Sequence, residues 1–253
     1  MRDSVVMVRR NLKHLMRYPS MTLVLLAMPV IFLLLFVYVF GGVLGAGIGG
    51  GRGTYLDYVV PGVLLMAIAG SVQGTAVSVA MDMTQGIVAR FRTMAISRAA
   101  VLTGHVGGSC VQAMLSVVVT LGLAVAIGFR PSADLPRWLG VLGMLALLAF
   151  SLTWLTVALG MVTKSVEGAS NLPMPLILLP FLGSGFVPTG SMPAGLRWFA
   201  EYQPFTPVME TVRGLLRGTP VGSNPLLALG WCVLISLAGY LWARRLFERN
   251  LIR

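Results

Sequence analysis

Apolar residues come in long uninterrupted runs: Met21 to Phe40, Tyr58 to Ala80, Val101 to Phe129, Trp138 to Thr163, Leu172 to Val187 and Leu226 to Ala243. Each is near or above the roughly 20 residues that carry a helix across a bilayer, so the pattern predicts six spans. The fifth is the least regular, because Pro173, Pro175, Pro180 and Pro188 remove backbone donors that lipid cannot replace. Its backbone must be satisfied by neighbouring protein, and it is expected to face other helices. Ahead of the first run, residues 3–18 set Val5, Val8, Leu12, Leu15 and Met16 at helical spacing, with Arg9, Arg10, Lys13 and Arg17 largely around the other side. That spacing predicts an amphipathic helix lying in the interface. The run that follows is about twice the length of a signal-peptide core and lacks a convincing cleavage site, so the first span is expected to stay uncleaved.

Composition sharpens this pattern. Of 253 residues, 57% are apolar and 11% charged, with a mean hydropathy of +0.86. Soluble domains carry roughly 25% charged residues, so a water-soluble globule is excluded and no sizeable soluble domain fits beside the spans. The chain reads as one all-α membrane domain over residues 1–253. Its net charge of +11 sits at the ends of the apolar runs and not in one basic stripe. This points to membrane orientation and lipid headgroups, with no nucleic-acid partner. Six spans put both termini on one side, and 13 of the 19 Lys and Arg residues fall on that side. Cytoplasmic loops are enriched in Lys and Arg, so both termini are predicted cytoplasmic. Trp138, Trp198 and Trp242 fall near span ends, as interface anchors do. Cys110 and Cys232 lie inside apolar runs without disulfide or metal-ligand spacing.

The chemistry that is missing matters as much. Neither lysine sits in a phosphate-binding G-x-x-x-x-G-K-[ST] pattern, since Lys164 follows Thr163. The glycines 45, 47 and 50 have G-x-G-x-x-G spacing but follow a span and open no βαβ unit, so they read as a loop. The span interiors hold no Asp, Glu, Lys or Arg. Ion-coupled carriers usually keep such groups, tolerating about 2.5–3.5 kcal/mol for a central charge. His105, one turn into the third span, is more often structural than a relay, and His14 is far from it in sequence. Gln73 and Gln112 read as helix-to-helix hydrogen-bonding groups. No catalytic cluster is visible, so the chain is expected to be neither an enzyme nor a cofactor or metal binder. It is a path without its own engine.

One cytoplasmic stretch, residues 82–98, has character. Ile87, Phe91 and Met94 recur at helical spacing among Arg90, Arg92 and Arg98. A short amphipathic docking helix and a loop pinned to anionic headgroups are both compatible with that pattern.

Together, Asp57-Tyr-Val-Val-Pro-Gly62, GIVARFRTMAISRAAVLTGH (Gly86 to His105) and FVPTGSMPAGLRWFAEYQPFTPVMETVRGLL (Phe186 to Leu216) resemble the membrane subunit of ABC type-2 exporters. The nearest likeness is to the daunorubicin-resistance permease group. RRNLKHLMRYP before the first span and YVFGG at its end extend the resemblance over nearly the whole chain. Many members carry an acidic residue where this chain has Ala89 and a proline where it has Ala95. The resemblance implies a permease of the bacterial plasma membrane that pairs with a second six-span subunit, identical or related. Two separately encoded ATP-binding subunits would hold ATP and Mg, and this chain would bind no cofactor. It implies that the N-terminal helix and the loop after span two meet the ATPase, making Gln85, Gly86, Arg90, Phe91 and Arg92 the coupling candidates. It also implies re-entrant helices across residues 188–225, where Leu196 to Phe199 and Val208 to Leu216 are amphipathic pieces. Glu201, Glu210, Arg213 and Arg217 would line that exit or be solvated surface charges. A cargo cavity between the two permease subunits would draw on Phe32, Phe36 and Met66, with Glu210 as a pathway candidate. The expected cargo is an amphipathic small molecule such as a drug, antibiotic or lipid. A polysaccharide or lipid-linked glycan is the alternative, and an ion-coupled carrier the more distant one.

Overall fold

Long apolar runs become long helices. The computed structural model describes residues 19–84, 98–163 and 165–250, and among these the chain is helical with no strand. Helix α1 (Pro19–Leu34) passes through a π-helical turn (Leu35–Phe40) into α2 (Gly41–Gly47). Then follow α3 (Arg52–Thr84), α4 (Arg98–Ala126) and α5 (Leu135–Val162). Two short helices, α6 (Val166–Asn171) and α7 (Met174–Leu178), lead into a 3-10 turn (Leu179–Leu182). Beyond a second 3-10 turn (Thr189–Ser191) lie α8 (Ala194–Tyr202), α9 (Phe205–Arg217) and α10 (Asn224–Asn250).

Five helical stretches among the described residues are long and apolar enough to cross a membrane: Leu26–Gly47, Arg52–Thr84, Thr103–Ala126, Leu135–Val162 and Asn224–Glu248. They coincide with five of the six runs. The remaining run, Leu172 to Val187, is not one helix but α7, the 3-10 turn and a buried turn over residues 183–186. Its prolines are the physical reason, since each lacks the N–H an uninterrupted helix requires. The amphipathic helix expected at residues 3–18, and the loop candidates Gln85, Gly86, Arg90, Phe91 and Arg92, lie outside the described residues.

Helix ends follow local chemistry. The Asp134 carboxylate accepts from the Arg137 backbone N–H at 3.3 Å, with Pro136 in the first turn of α5. Ser165 Oγ caps α6 by accepting from Gly168 N–H at 3.1 Å. Helix α9 ends at Gly218, whose φ of +70° is the left-handed conformation that glycine adopts without a Cβ clash.

Helix α3 is the centre of the bundle. From Val59 to Ala69 every residue is buried, so this stretch is enclosed on all sides. It packs against α1, α4, α5 and α9, while α5 also packs against α10. Ser151 Oγ of α5 donates to the Cys232 carbonyl of α10 at 2.9 Å, and Ser236 Oγ lies 2.9 Å from the same hydroxyl. Such hydroxyl ties suit helices that meet in lipid, where an unpaired polar group has no water to turn to. The outward faces are apolar, with Ile31, Val39 and Val43 on one flank and Leu226, Leu234 and Leu237 on α10.

Candidate functional site

Residues 183–186 interrupt the helices inside the protein, and their backbone must find partners there. Gly183, Ser184, Gly185 and Phe186 are all buried. Their partners come from both ends of the sequence. The Tyr58 hydroxyl of α3 donates to the Ser184 carbonyl at 2.8 Å, and the Tyr55 hydroxyl donates to the Phe186 carbonyl at 3.2 Å. Arg213 Nη2 of α9 donates to that same Ser184 carbonyl at 2.7 Å and to the Tyr58 carbonyl at 3.1 Å. The Ser184 N–H donates to Thr206 Oγ1 at 3.3 Å, and Gln203 Nε2 donates to the Leu179 carbonyl at 3.2 Å. A broken backbone is thereby held by α3 on one side and α9 on the other.

Arg213 is 7% exposed, which for a cation demands compensation. Glu210, one turn earlier, supplies an ion pair, and the Tyr58 ring lies 4.0 Å beneath the guanidinium carbon. A second pair, Asp57 with Arg217 at 4.0 Å, ties the same ends of α3 and α9 together. The periodicity of α9 explains its placement. Phe205, Val208, Met209, Val212 and Leu216 form its buried stripe, leaving Glu210 on the flank. At Gly62 and Gly185 the backbones of α3 and the broken segment approach so closely that a Cβ on Gly62 would stand 2.6 Å from the Gly185 carbonyl oxygen.

Beside this cradle lies an aromatic cluster. Phe181 and Phe186 stack at 4.4 Å, Phe36 lies 4.5 Å from Phe186 and 6.2 Å from Phe181, and Phe32 is 5.9 Å from Phe181. The π-helical turn adds a residue to the local repeat and re-aims Phe36 and Phe40, whose rings are 5.7 Å apart. Phe32, Phe36 and Phe181 remain partly exposed, with Phe186 buried behind them.

The structure thus brings Phe32 and Phe36 together and adds Phe181 and Phe186, which the pattern of positions did not single out. It separates the other two pathway candidates from that surface. Met66 is 5% exposed within the enclosed part of α3, and Glu210 is paired to Arg213. Gln73 is a helix-to-helix donor, from α3 to the Ser170 carbonyl of α6 at 2.5 Å. His105 is not alone. Its Nε2 lies 3.0 Å from Asp82 Oδ2, because α3 continues past its apolar run and carries Asp82 onto the last turn. Charged residues just outside an apolar run are the signal by which Asp57 and Asp82 could have been found. Among the described residues no cluster of His, Cys, Asp or Glu is arranged to hold a metal ion.

Comparison with known proteins agrees with this architecture. Residues 3–216 match the family described as ABC-2 type transporter. The daunorubicin resistance ABC transporter permease protein DrrB1 of Streptomyces coeruleorubidus is 29% identical over 221 residues, covering 84% of this chain and 76% of that protein. The probable doxorubicin resistance ABC transporter permease protein DrrC of Mycobacterium tuberculosis is 22% identical over 170 residues, covering 66% of this chain and 62% of that protein.

Proposed function

Because the chain belongs to the ABC-2 type transporter family, we propose that this multi-pass membrane protein is the permease subunit of an ATP-driven exporter. Its cargo is an amphipathic small molecule such as a drug, antibiotic or lipid, moved out across a bacterial plasma membrane. Two separate ATP-binding subunits hold ATP and Mg, and a second permease subunit, identical or related, completes the path. The observation that carries this reading is the family match over residues 3–216, joined by likeness to proteins named as drug-resistance permeases.

Six crossings fit this role and have geometric support. Ser170 is bonded to Gln73, and Phe186 to Tyr55, so the broken segment passes α3 residues eighteen positions apart. At 1.5 Å per residue this is about 27 Å, close to the thickness of the hydrocarbon core. The segment therefore serves as a fifth, composite crossing, held by protein where lipid would leave carbonyls unpaired. Helices α8 and α9 then act as the re-entrant pair at the exit, with Glu210 beside it. Phe32, Phe36 and Phe181 offer soft aromatic surface to cargo.

Energy enters through the cytoplasmic stretch, where Gln85, Gly86, Arg90, Phe91 and Arg92 meet the ATP-binding subunits. The test uses the permease purified with the ATP-binding subunits of its genomic neighbourhood and reconstituted in vesicles. Phe91→Ala is expected to retain the complex while lowering cargo-stimulated ATP hydrolysis about tenfold, the loss of roughly 1.4 kcal/mol of coupling. Unchanged turnover removes Phe91 from the coupling surface. Accumulation of a compound by the permease alone overturns the exporter reading.

A further inference from the structure

Asp82 and His105 sit at the ends of the two helices that the cytoplasmic stretch joins. Asp82 is on the last turn of α3 and His105 on the second turn of α4, with their side chains 14% and 9% exposed and 3.0 Å apart. About two turns earlier in α3, Thr75 Oγ1 and Ser109 Oγ are 2.6 Å apart, both buried. Val79, Val106, Met161 and Phe247 form an apolar cluster at this end of the bundle. A buried hydrogen-bonded pair in such surroundings contributes little net stability, because desolvating its polar groups offsets their attraction. Its geometry sets the last turn of α3 against the second turn of α4.

On the exporter reading above, force received between α3 and α4 must reach the spans. Two helix ends free to part would absorb that displacement in the connection between them. Two ends clasped by a buried hydrogen-bonded pair move together. We propose that Asp82 and His105 are positioning residues for coupling: they clasp α3 to α4 so that a push from the ATP-binding subunits is transmitted to both helices as one. The hydrogen bond between His105 Nε2 and Asp82 Oδ2 makes the clasp, and the Thr75–Ser109 rung keeps the same register deeper in the bundle.

The test uses the full complex in vesicles, with Asp82→Ala, His105→Ala and the exchanged pair Asp82→His with His105→Asp. Three quantities are read: recovery of the complex on purification, its melting temperature, and cargo moved per ATP hydrolysed. Each alanine variant is expected to assemble normally and to move about tenfold less cargo per ATP. The exchanged pair, which restores a carboxylate against an imidazole, is expected to recover most of that loss. Alanine variants with wild-type cargo per ATP overturn the clasp, as do variants whose only change is lower melting and poorer assembly. A wild-type complex that hydrolyses ATP yet moves no cargo overturns the exporter reading itself, and is recognised because it precedes any substitution.

Discussion

Arg213 carries a charge into the protein interior, and its planar fork explains why an arginine stands there. One guanidinium reaches the carbonyls of Tyr58 and Ser184 at 3.1 and 2.7 Å, faces Glu210, and lies over the Tyr58 ring. A lysine ammonium is a point charge and cannot present the same in-plane pair of donors while stacking on an aromatic face. Arg213→Ala is therefore expected to cost about 3 kcal/mol, since it strips donors from a buried carbonyl and a partner from a partly buried carboxylate. Arg213→Lys falls between that variant and wild type. Tyr55→Phe removes a single bond to the Phe186 carbonyl and is expected to cost about 1 kcal/mol. Thermal unfolding of the detergent-solubilised protein checks the order. A lysine variant as stable as wild type shows that charge alone suffices and the fork is not needed. Residue types announced part of this site, because Arg213 and Glu210 stand out in an apolar chain. Their targets did not announce themselves, because Tyr58 lies 155 residues from Arg213 and no spacing rule reaches that far.

At the scale of elements, glycines decide which helices can touch. Gly62 lies where α3 meets the broken segment, and an alanine there would push its Cβ against the Gly185 backbone, with oxygen at 2.6 Å and Cα at 2.8 Å. Backbone cannot swing aside as a side-chain tip can, so Gly62→Ala is expected to destabilise by about 1–3 kcal/mol. Gly70 lies on the same helix with no atom within 4 Å of a built Cβ. Gly70→Ala is expected to stabilise by up to about 1 kcal/mol, because alanine is the better helix former. Melting shifts of opposite sign for two identical substitutions check the close approach, and equal shifts refute it. Five helices were readable from the sequence because burial in lipid or protein needs only uninterrupted apolar length. The fifth run was readable as the least regular of the six spans, since Pro173, Pro175 and Pro180 each delete a donor, but not as two short pieces and a buried turn. Which side chains would hold its carbonyls was not readable, and neither was the reach of α3 past its apolar run to Asp57 and Asp82. Helix propensity at charged ends is weak, and tertiary packing against α4 and α9 sets those boundaries.

For the molecule as a whole, the parity of crossings decides which face α8 and α9 occupy. The Ser132 N–H donates to the Leu216 carbonyl at 3.0 Å, so the turn between α4 and α5 lies level with the end of α9. Asp57 with Arg217 puts the start of α3 at that level too. Asp82, His105, Met161 and Phe247 gather at the opposite end. Arg52, Arg130, Arg137, Arg197, Arg213 and Arg217 belong to the first group, and Arg244 and Arg245, beside Phe247, to the second. Five crossings would place Ser223 on the side opposite Ser132; six place them together. The two are separated by cysteine labelling in intact bacterial cells, with Cys110 and Cys232 replaced by alanine and one cysteine at a time introduced at Ser132, Glu167 or Ser223, all exposed positions. A membrane-impermeant maleimide is expected to label Ser132→Cys and Ser223→Cys from outside and to reach Glu167→Cys only after the membrane is opened. Labelling at Ser223→Cys that follows Glu167→Cys instead would turn the composite segment into a hairpin that never crosses, and would place α8 and α9 on the same side as Glu167.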